Sequence, residues 1–500
     1  MKIQKDSQYT LSHIESSKIF DMSSIGSPVG YKGLAAFHKY WGKKPAECFS
    51  FLIELLTSPD ELIIDPFVGS GFVAREALLR QRRFIGIDLN PIAIQHTNLL
   101  VDLPSAECLQ EAFQRIENSV RTQIEQTYKM IDGKIATHYL WEKDNLKSVW
   151  CITRGKGNRD IRLPVKFDID IYNQYQEYQS KFPRKLKQFY NSRINSTDSL
   201  SLKDLFTGRA LHNIDLILES IYSESEDIQR ALLLSLTAGS GQMSRMVFAI
   251  TKRGKTNGAI SEKIEVGSWV IGYWRPILHF EINVWNCFRN RVLVLLKVLS
   301  NENIDIIPAN FGGINEVITG SKNMAILNDD ARAILDSIPP EVASLIVTDP
   351  PHSDRIPYLE LSDMWNSLLR KEVVFDKEIV VSNAKGREKT KNAYLHDMTI
   401  FLEKASKVLK PGKFLALLFN ARDDKSWVFL KRITSVSSEL IYKGSFPMLY
   451  SANSVVQDNR KGSLKTDFVL LFQKVGGNDK ENEILAILEK LPGWSTNFPQ

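Results

Sequence analysis

Ile63-Ile64-Asp65-Pro66-Phe67-Val68-Gly69-Ser70-Gly71 reads as an apolar strand running into a glycine turn and then a helix. Gly69 and Gly71 carry no side chain and can take φ > 0, so the backbone can approach a small ligand closely. A second apolar strand, Phe84-Ile85-Gly86-Ile87-Asp88, ends in an acid about 20 residues after the first glycine. That layout is a nucleotide-type cofactor crevice with the acid placed for a ribose hydroxyl. Far downstream a third apolar strand ends in Thr348-Asp349-Pro350-Pro351-His352. Two prolines there fix the backbone and leave the Pro350 carbonyl without a competing donor. A carboxylate beside a fixed carbonyl is a pair of acceptors, which suits a planar exocyclic amine with two N–H donors.

Composition bounds the class. The chain has 500 residues, 43% apolar and 24% charged, which suits a soluble globular protein of one to three domains. A net charge of +6 permits a polyanionic partner without requiring one. Cys48, Cys108, Cys151 and Cys287 are scattered, with no CxxC pair, so reduced thiols and no metal site are expected. The stretch Met1 to Thr10 is too polar for a signal peptide, and no apolar run reaches the ~18 residues of a membrane span. A cytoplasmic protein without membrane contact is expected.

Around the two motifs the pattern predicts helices at 46–56 after Pro45, at 73–80 and after Asn90-Pro91, so residues 61–89 form one βαβ unit. Strand–helix alternation then stops from about 105 to 320. That stretch predicts a helix over 106–130, a small hairpin module over 135–170 with a Gly-Lys-Gly turn at 155–157, and helices at 215–238 and 283–299. A Gly- and Trp-rich loop joins the last two. The sheet pattern resumes at Ala325-Ile326-Leu327-Asn328-Asp329 and Ser344 to Asp349, followed by a long polar loop. A helix at 394–409, strands at 414–419 and 468–472, and a peripheral tail helix complete the chain. The reading is one αβ domain, 31–105 with 320–475, interrupted by an insertion at 106–319, with the tail at 476–500.

On these motifs the chain resembles the amino-methylating DNA methyltransferases, which make N6-methyladenine or N4-methylcytosine from S-adenosylmethionine. Asp65 to Gly71 is similar to that class's cofactor motif, Gly86-Ile87-Asp88-Leu89-Asn90-Pro91 to its ribose-binding strand end, and Asp349-Pro350-Pro351 to its catalytic motif. His38-Lys39-Tyr40-Trp41-Gly42-Lys43-Lys44-Pro45 and the run Tyr358 to Asp363 resemble segments of bacterial site-specific members. The resemblance covers roughly 35–110 and 320–475. It implies an α/β fold: a class I S-adenosylmethionine-dependent (Rossmann-like) methyltransferase sheet with a large mixed, mainly helical insertion. It places Asp65, Pro66, Phe67, Gly69 and Gly71 at the methionine end of the cofactor, Asp88 and Asn90 at the ribose, and Asn328-Asp329 near the adenine. The His38–Lys44 segment, with His38, Tyr40 and Lys43 as its cofactor contacts, would close over the methionine carboxylate. Asp349 and the Pro350 carbonyl, with Pro351 and His352 beside them, would orient the target amine for in-line transfer. A base in a duplex must first be flipped out. The class has an aromatic ring after the two prolines where this chain has His352, so His352, Tyr358 or Trp365 would have to stack on the base.

Double-stranded DNA is the partner implied, with restriction or phage-defence subunits as further partners the resemblance allows. Candidate phosphate contacts are the basic loops Arg154 to Arg159, Lys181 to Arg193, Lys252 to Lys255 and Lys385 to Lys391. Trp269, Tyr273 and Trp274 read as core rather than as wedges into DNA. Asp before the two prolines favours adenine N6 as the target. Cytosine N4, an RNA base, and a catalytically weakened DNA-binding subunit are the alternatives.

Overall fold

Leu62, Ile63 and Ile64 leave no polar side chain for either face, so the strand they form needs cover on both sides. The structure, a computed structural model, describes residues 32–152, 159–251, 255–256, 259–260, 263–301, 309–352, 356–420, 427–428, 430–431, 439–449, 466–476, 479–491 and 493–499. In chain order it opens with α1 (Ala46–Leu56), β1 (Leu62–Asp65), α2 (Phe72–Leu79), β2 (Arg83–Ile87), α3 (Pro91–Val101) and α4 (Ala106–Gln126). Next come β3 (His138–Glu142), β4 (Asn145–Ile152), β5 (Arg159–Arg162), α5 (Lys166–Gln174), α6 (Gly208–Ile221) and α7 (Glu226–Met243). Then follow β6 (Val247–Ile250), the short β7 (Lys255–Thr256), β8 (Ala259–Ile260) and β9 (Glu265–Val266), β10 (Leu278–Ile282) and α8 (Val284–Leu299). The remainder is β11 (Met324–Leu327), α9 (Ala331–Ser337), β12 (Ala343–Thr348), α10 (Tyr358–Leu368), α11 (Lys391–Val408), β13 (Leu409–Phe419), β14 (Leu440–Leu449), β15 (Thr466–Lys474) and α12 (Asp479–Leu488).

Seven strands form one sheet in the order β11-β2-β1-β12-β13-β15-β14. The first five run parallel, and β15 is antiparallel to both its neighbours. From β1 the chain steps outward through β2 to β11, then returns to the other side of β1 as β12, with Ile64 opposite Ile346. The strand order therefore reverses between β1 and β12, where an open sheet leaves a crevice beyond the carboxyl ends. Alternation along β1 sends Ile63 into the core under α1, α2 and α12, and Leu62 and Ile64 into the core under α9 and α11. A third core joins α4, α6, α7 and α8 to a six-stranded sheet, β5-β4-β3-β10-β6-β9.

That second sheet is larger than the hairpin module expected, and residues 166–174 are helical. Its strand β10 is hidden in the sequence because the polar members of its alternation, His279 and Glu281, are both buried. The helix expected at 215–238 is two, α6 and α7, separated by residues 222–225. The largest difference is α10, which occupies part of the expected polar loop. All but the first of its residues are buried, and its polar side chains have partners: Glu360 with Arg387, Asp363 with Arg184, and Ser362 and Asn366 with Asn90. Such a helix shows no amphipathic stripe. Through Leu361, Met364, Trp365 and Leu368 it joins the third core, which also takes in Phe37, Ile92 and Leu99, so that core draws on both sides of the expected insertion boundary. The tail is not peripheral, since Ile484, Leu488 and Leu491 are buried in the core under α1 and α2. The Gly-Lys-Gly turn lies outside the described residues.

Arg209 of α6 and Glu281 of β10 form a fully buried ion pair at 2.8 Å, and the guanidinium also lies 4.2 Å from the Tyr139 ring centre. Removing one partner would leave an uncompensated buried charge. Arg209→Leu is therefore expected to cost about 3–5 kcal/mol in urea unfolding, and Arg209→Leu with Glu281→Leu to cost less. A double variant worse than the single one would contradict this account.

Candidate active site

The carboxyl ends of β1 and β12 carry Asp65 and Asp349, and Thr348 joins them by donating from its hydroxyl to Asp65 Oδ1 at 2.6 Å. A cleft of about 910 Å³, part of it open to solvent, lies beyond these strand ends. Of the residues singled out in the sequence, Tyr40, Lys43, Asp65, Pro66, Phe67, Gly69, Asp88, Asn90, Asp349 and Pro351 line it. Gly69 takes φ of +50°, and its N–H donates to Asp88 Oδ2 at 2.8 Å while the Asn90 N–H donates to Oδ1 at 2.8 Å. Gly71, with φ of +83°, supports the cleft from behind: a Cβ there would come within 2.7 Å of Thr97 Cα. Asp65 Oδ1 also accepts from the Phe67 N–H at 3.1 Å, and Oδ2 accepts no hydrogen bond from the described residues.

Burial dominates the electrostatics. It pushes the Asp65 carboxyl up to about 7 against its hydrogen bonds from Thr348 and Phe67, and the Asp88 carboxyl up to about 6. The lining holds five acids, Asp65, Asp88, Asp330, Asp349 and Glu378, against Lys43, Lys44 and Lys377. A ligand that brings positive charge of its own fits such a wall. Lys43 turns its ammonium to the carbonyls of Ala35 and His38, at 2.9 and 2.5 Å, and burial lowers it to about 7.

Other expected members sit elsewhere. His38 is buried outside the cleft, with Nε2 3.0 Å from the Thr237 hydroxyl and its ring against His96 and Trp365. Burial pushes its imidazole down to about 3, so it offers no cation to a carboxylate. Asp329 pairs with Lys377 at 3.1 Å, and its neighbour Asp330 lines the cleft in its place. His352 is not a base-stacking surface here: it is 6% exposed, with Nε2 2.9 Å from Asp349 Oδ1 and its ring against Phe419. Trp365 is buried and stacks on Trp41 at 4.8 Å. Tyr358 does line the cleft, roughly parallel to Tyr40 with ring centres 6.0 Å apart.

Sequence reasoning gave Lys44 no role beyond its place in the His38–Lys44 segment and did not mark Asp330, Asp467, Glu378 or Tyr394. Lys44 reaches Asp349 Oδ2 at 2.8 Å and Asp467 Oδ2 at 3.0 Å, and Glu378 accepts the Leu359 N–H at the helix start of α10. Tyr394 of α11 donates to the Pro351 carbonyl at 2.8 Å, holding the chain after the catalytic candidate. Only Lys44 had a signal, the doubled lysine before Pro45. Glu378 and Asp467 have no neighbouring pattern that marks them.

The basic loops divide. Arg154 to Asn158 and Lys252 to Gly254 lie outside the described residues. Arg184 pairs with the fully buried Asp363, and Arg387 is buried between Glu360 at 2.6 Å and Glu378 at 2.8 Å, so these two cations serve the fold rather than phosphates, whereas Lys187 pairs with Glu372 at the surface. Tyr273 is core, as expected, whereas Trp274 is 53% exposed. Among the described residues no group of three or more His, Cys, Asp or Glu is placed to hold a metal ion, and no helix is long and apolar enough to cross a membrane.

Residues 2–98 match the model of the DNA methylase family N6_N4_Mtase. The match takes in Lys44, the glycine turn and Asp88 and stops short of Asp349. It supports an amino-methylating DNA methyltransferase and, with it, DNA as the substrate class. No curated protein matches the chain.

The raised Asp65 carboxyl makes a stability prediction. The folded state favours its neutral form, so stability is greatest below the ordinary carboxylate range near 4 and is lost as pH rises through about 7. Asp65→Asn keeps the acceptor oxygen without the charge. At pH 8 it should be more stable than the wild type by up to about 4 kcal/mol and melt at a higher temperature, with the gap closing toward pH 4. Equal melting temperatures at pH 8 would show that Asp65 ionises there without cost.

Proposed function

We propose that the chain is an S-adenosylmethionine-dependent DNA methyltransferase that modifies an exocyclic base amine, adenine N6, after the base is flipped from the duplex. The observation that carries this reading is the position of Asp349, at the end of β12 beside a cleft opened by the glycine turn of β1. The order of the seven-stranded sheet, with its reversal between β1 and β12, supports a class I methyltransferase architecture. Aspartate rather than serine before the two prolines supports adenine over cytosine.

The acidic lining fits the cofactor, which carries an ammonium and a sulfonium. Bound there, S-adenosylmethionine supplies an electrophilic methyl group. Asp65, through its open oxygen, and Asp88 would hold its polar ends, and Tyr40 and Phe67 would bound its apolar parts. Asp349 would accept an N–H of the target amine and stabilise the positive charge that develops on nitrogen, with the Pro350 carbonyl as second acceptor. Lys44 and His352 outweigh burial and hold the Asp349 carboxyl below its ordinary value, so it is a carboxylate at neutral pH. Tyr358, with its ring in the cleft lining, takes the stacking role in place of His352.

Sequencing that detects modified bases in DNA from cells expressing the protein tests this. N6-methyladenine in one sequence context is expected, falling by at least about a hundredfold with Asp349→Ala while purified Asp349→Ala still binds S-adenosylmethionine. N4-methylcytosine in its place would overturn the choice of base, and unmodified DNA would overturn the activity.

A further inference from the structure

Lys44 belongs to the segment before α1, yet its ammonium lies more than 300 residues downstream in sequence, between the ends of β12 and β15. It is 5% exposed and bridges Asp349 at 2.8 Å and Asp467 at 3.0 Å. Asp467 is fully buried, and its Oδ1 accepts from Asn420 Nδ2 at 3.1 Å. Without the ammonium two carboxylates of like sign, Asp467 fully buried and Asp349 19% exposed at the cleft wall, would face each other. The groups that face Asp349 are Lys44 from the chain before α1, His352 from its own loop, Asp467 from β15 and Asp65 from β1.

We propose that Lys44 and Asp467 are positioning residues for Asp349: Lys44 aims its carboxylate, and Asp467 shares the ammonium so that the cluster keeps net negative charge toward the target amine. The proposal rests on the methyltransferase reading and adds a device to it. A lone Asp349 at this depth would tend toward its neutral acid, which cannot stabilise a nitrogen becoming positive. A Lys44–Asp349 pair alone would stay ionised but carry no net charge. Two carboxylates around the Lys44 ammonium meet both needs: the ammonium, together with the contact from His352, keeps Asp349 ionised, and among Lys44, Asp349 and Asp467 one negative charge is left over. A merely structural role for Lys44, pinning the segment before α1 to the sheet, would make no demand on protonation.

The test is the single-turnover rate of methyl transfer to duplex DNA, with saturating S-adenosylmethionine, between pH 5.5 and pH 9. The wild type sets the reference profile, in which Asp65 and Asp88 titrate; Asp349 adds nothing to it above pH 6, because it stays ionised. Relative to the wild type at the same pH, Lys44→Met is expected to lose about tenfold more at pH 6 than at pH 8.5, and Lys44→Arg to restore the wild-type profile. Asp467→Asn should lower the rate several-fold at every pH without raising KM for DNA, and it serves as the second variant should Lys44→Met not fold. A readout without turnover is the carboxyl-carbon NMR signal of Asp349, assigned by its loss in Asp349→Asn. It should titrate at higher pH in Lys44→Met than in the wild type. Loss of rate by one factor at all pH values, with an unmoved NMR titration, would overturn the proposal. A wild type that transfers no methyl group would instead overturn the functional reading, and the NMR titration would still decide the role of Lys44.

Discussion

The hydrogen bond from Thr348 to Asp65 ties together two strand ends 283 residues apart in sequence, and the cleft depends on that neighbourhood. β1 and β12 are adjacent only because the chain runs outward to β11 before it returns. Each is buried on both faces, so each needs a covered sheet, and their carboxyl ends then project acids into one crevice. The glycine turn keeps the floor of that crevice low. The helices on either face fix its walls.

Burying several carboxylates at one place is unfavourable, and the arrangement divides them by role. Asp65 and Asp88 are only partly compensated by backbone and hydroxyl donors, which leaves them receptive to a cationic ligand. Asp349 has a cation of its own in Lys44 and is ionised without one from outside. Perturbed acids gathered in a crevice at a topological switch point mark a functional site more than a structural one. α10 carries this organisation outward: Ser362 and Asn366 hold the side chain of Asn90, and Glu360 anchors Arg387, which in turn holds Glu378 at the wall.

Much of this is legible in the residues. The βαβ unit, the acid after the glycines and the strand before Asp349 follow from apolar runs ending in small or acidic residues, because parallel strands in a covered sheet admit little else. The helix α10 is not legible, since Glu360, Asp363 and Asn366 read as surface residues until their partners, on segments up to about 280 residues away, are known. His38 illustrates the opposite error. A histidine in an aromatic–basic segment reads as a ligand contact, but burial leaves it neutral and packed against Trp365. Lys44, one residue beyond the lysine singled out, is the one that reaches the acid, and one-residue choices of that kind are set by the turn at Gly42, whose φ is +77°.

The central claim, that the crevice at the end of β1 is a cofactor site, is tested most directly by calorimetric titration of S-adenosylmethionine into the wild type and into Gly69→Trp. At Gly69 the backbone is left-handed and the Tyr40 ring lies 3.5 Å from where a Cβ would stand, so an indole there would fill the cleft. Binding of one cofactor molecule by the wild type, and its loss in a variant that still unfolds cooperatively, is the predicted result. Equal affinity in the two proteins, or no binding by the wild type, would contradict the account.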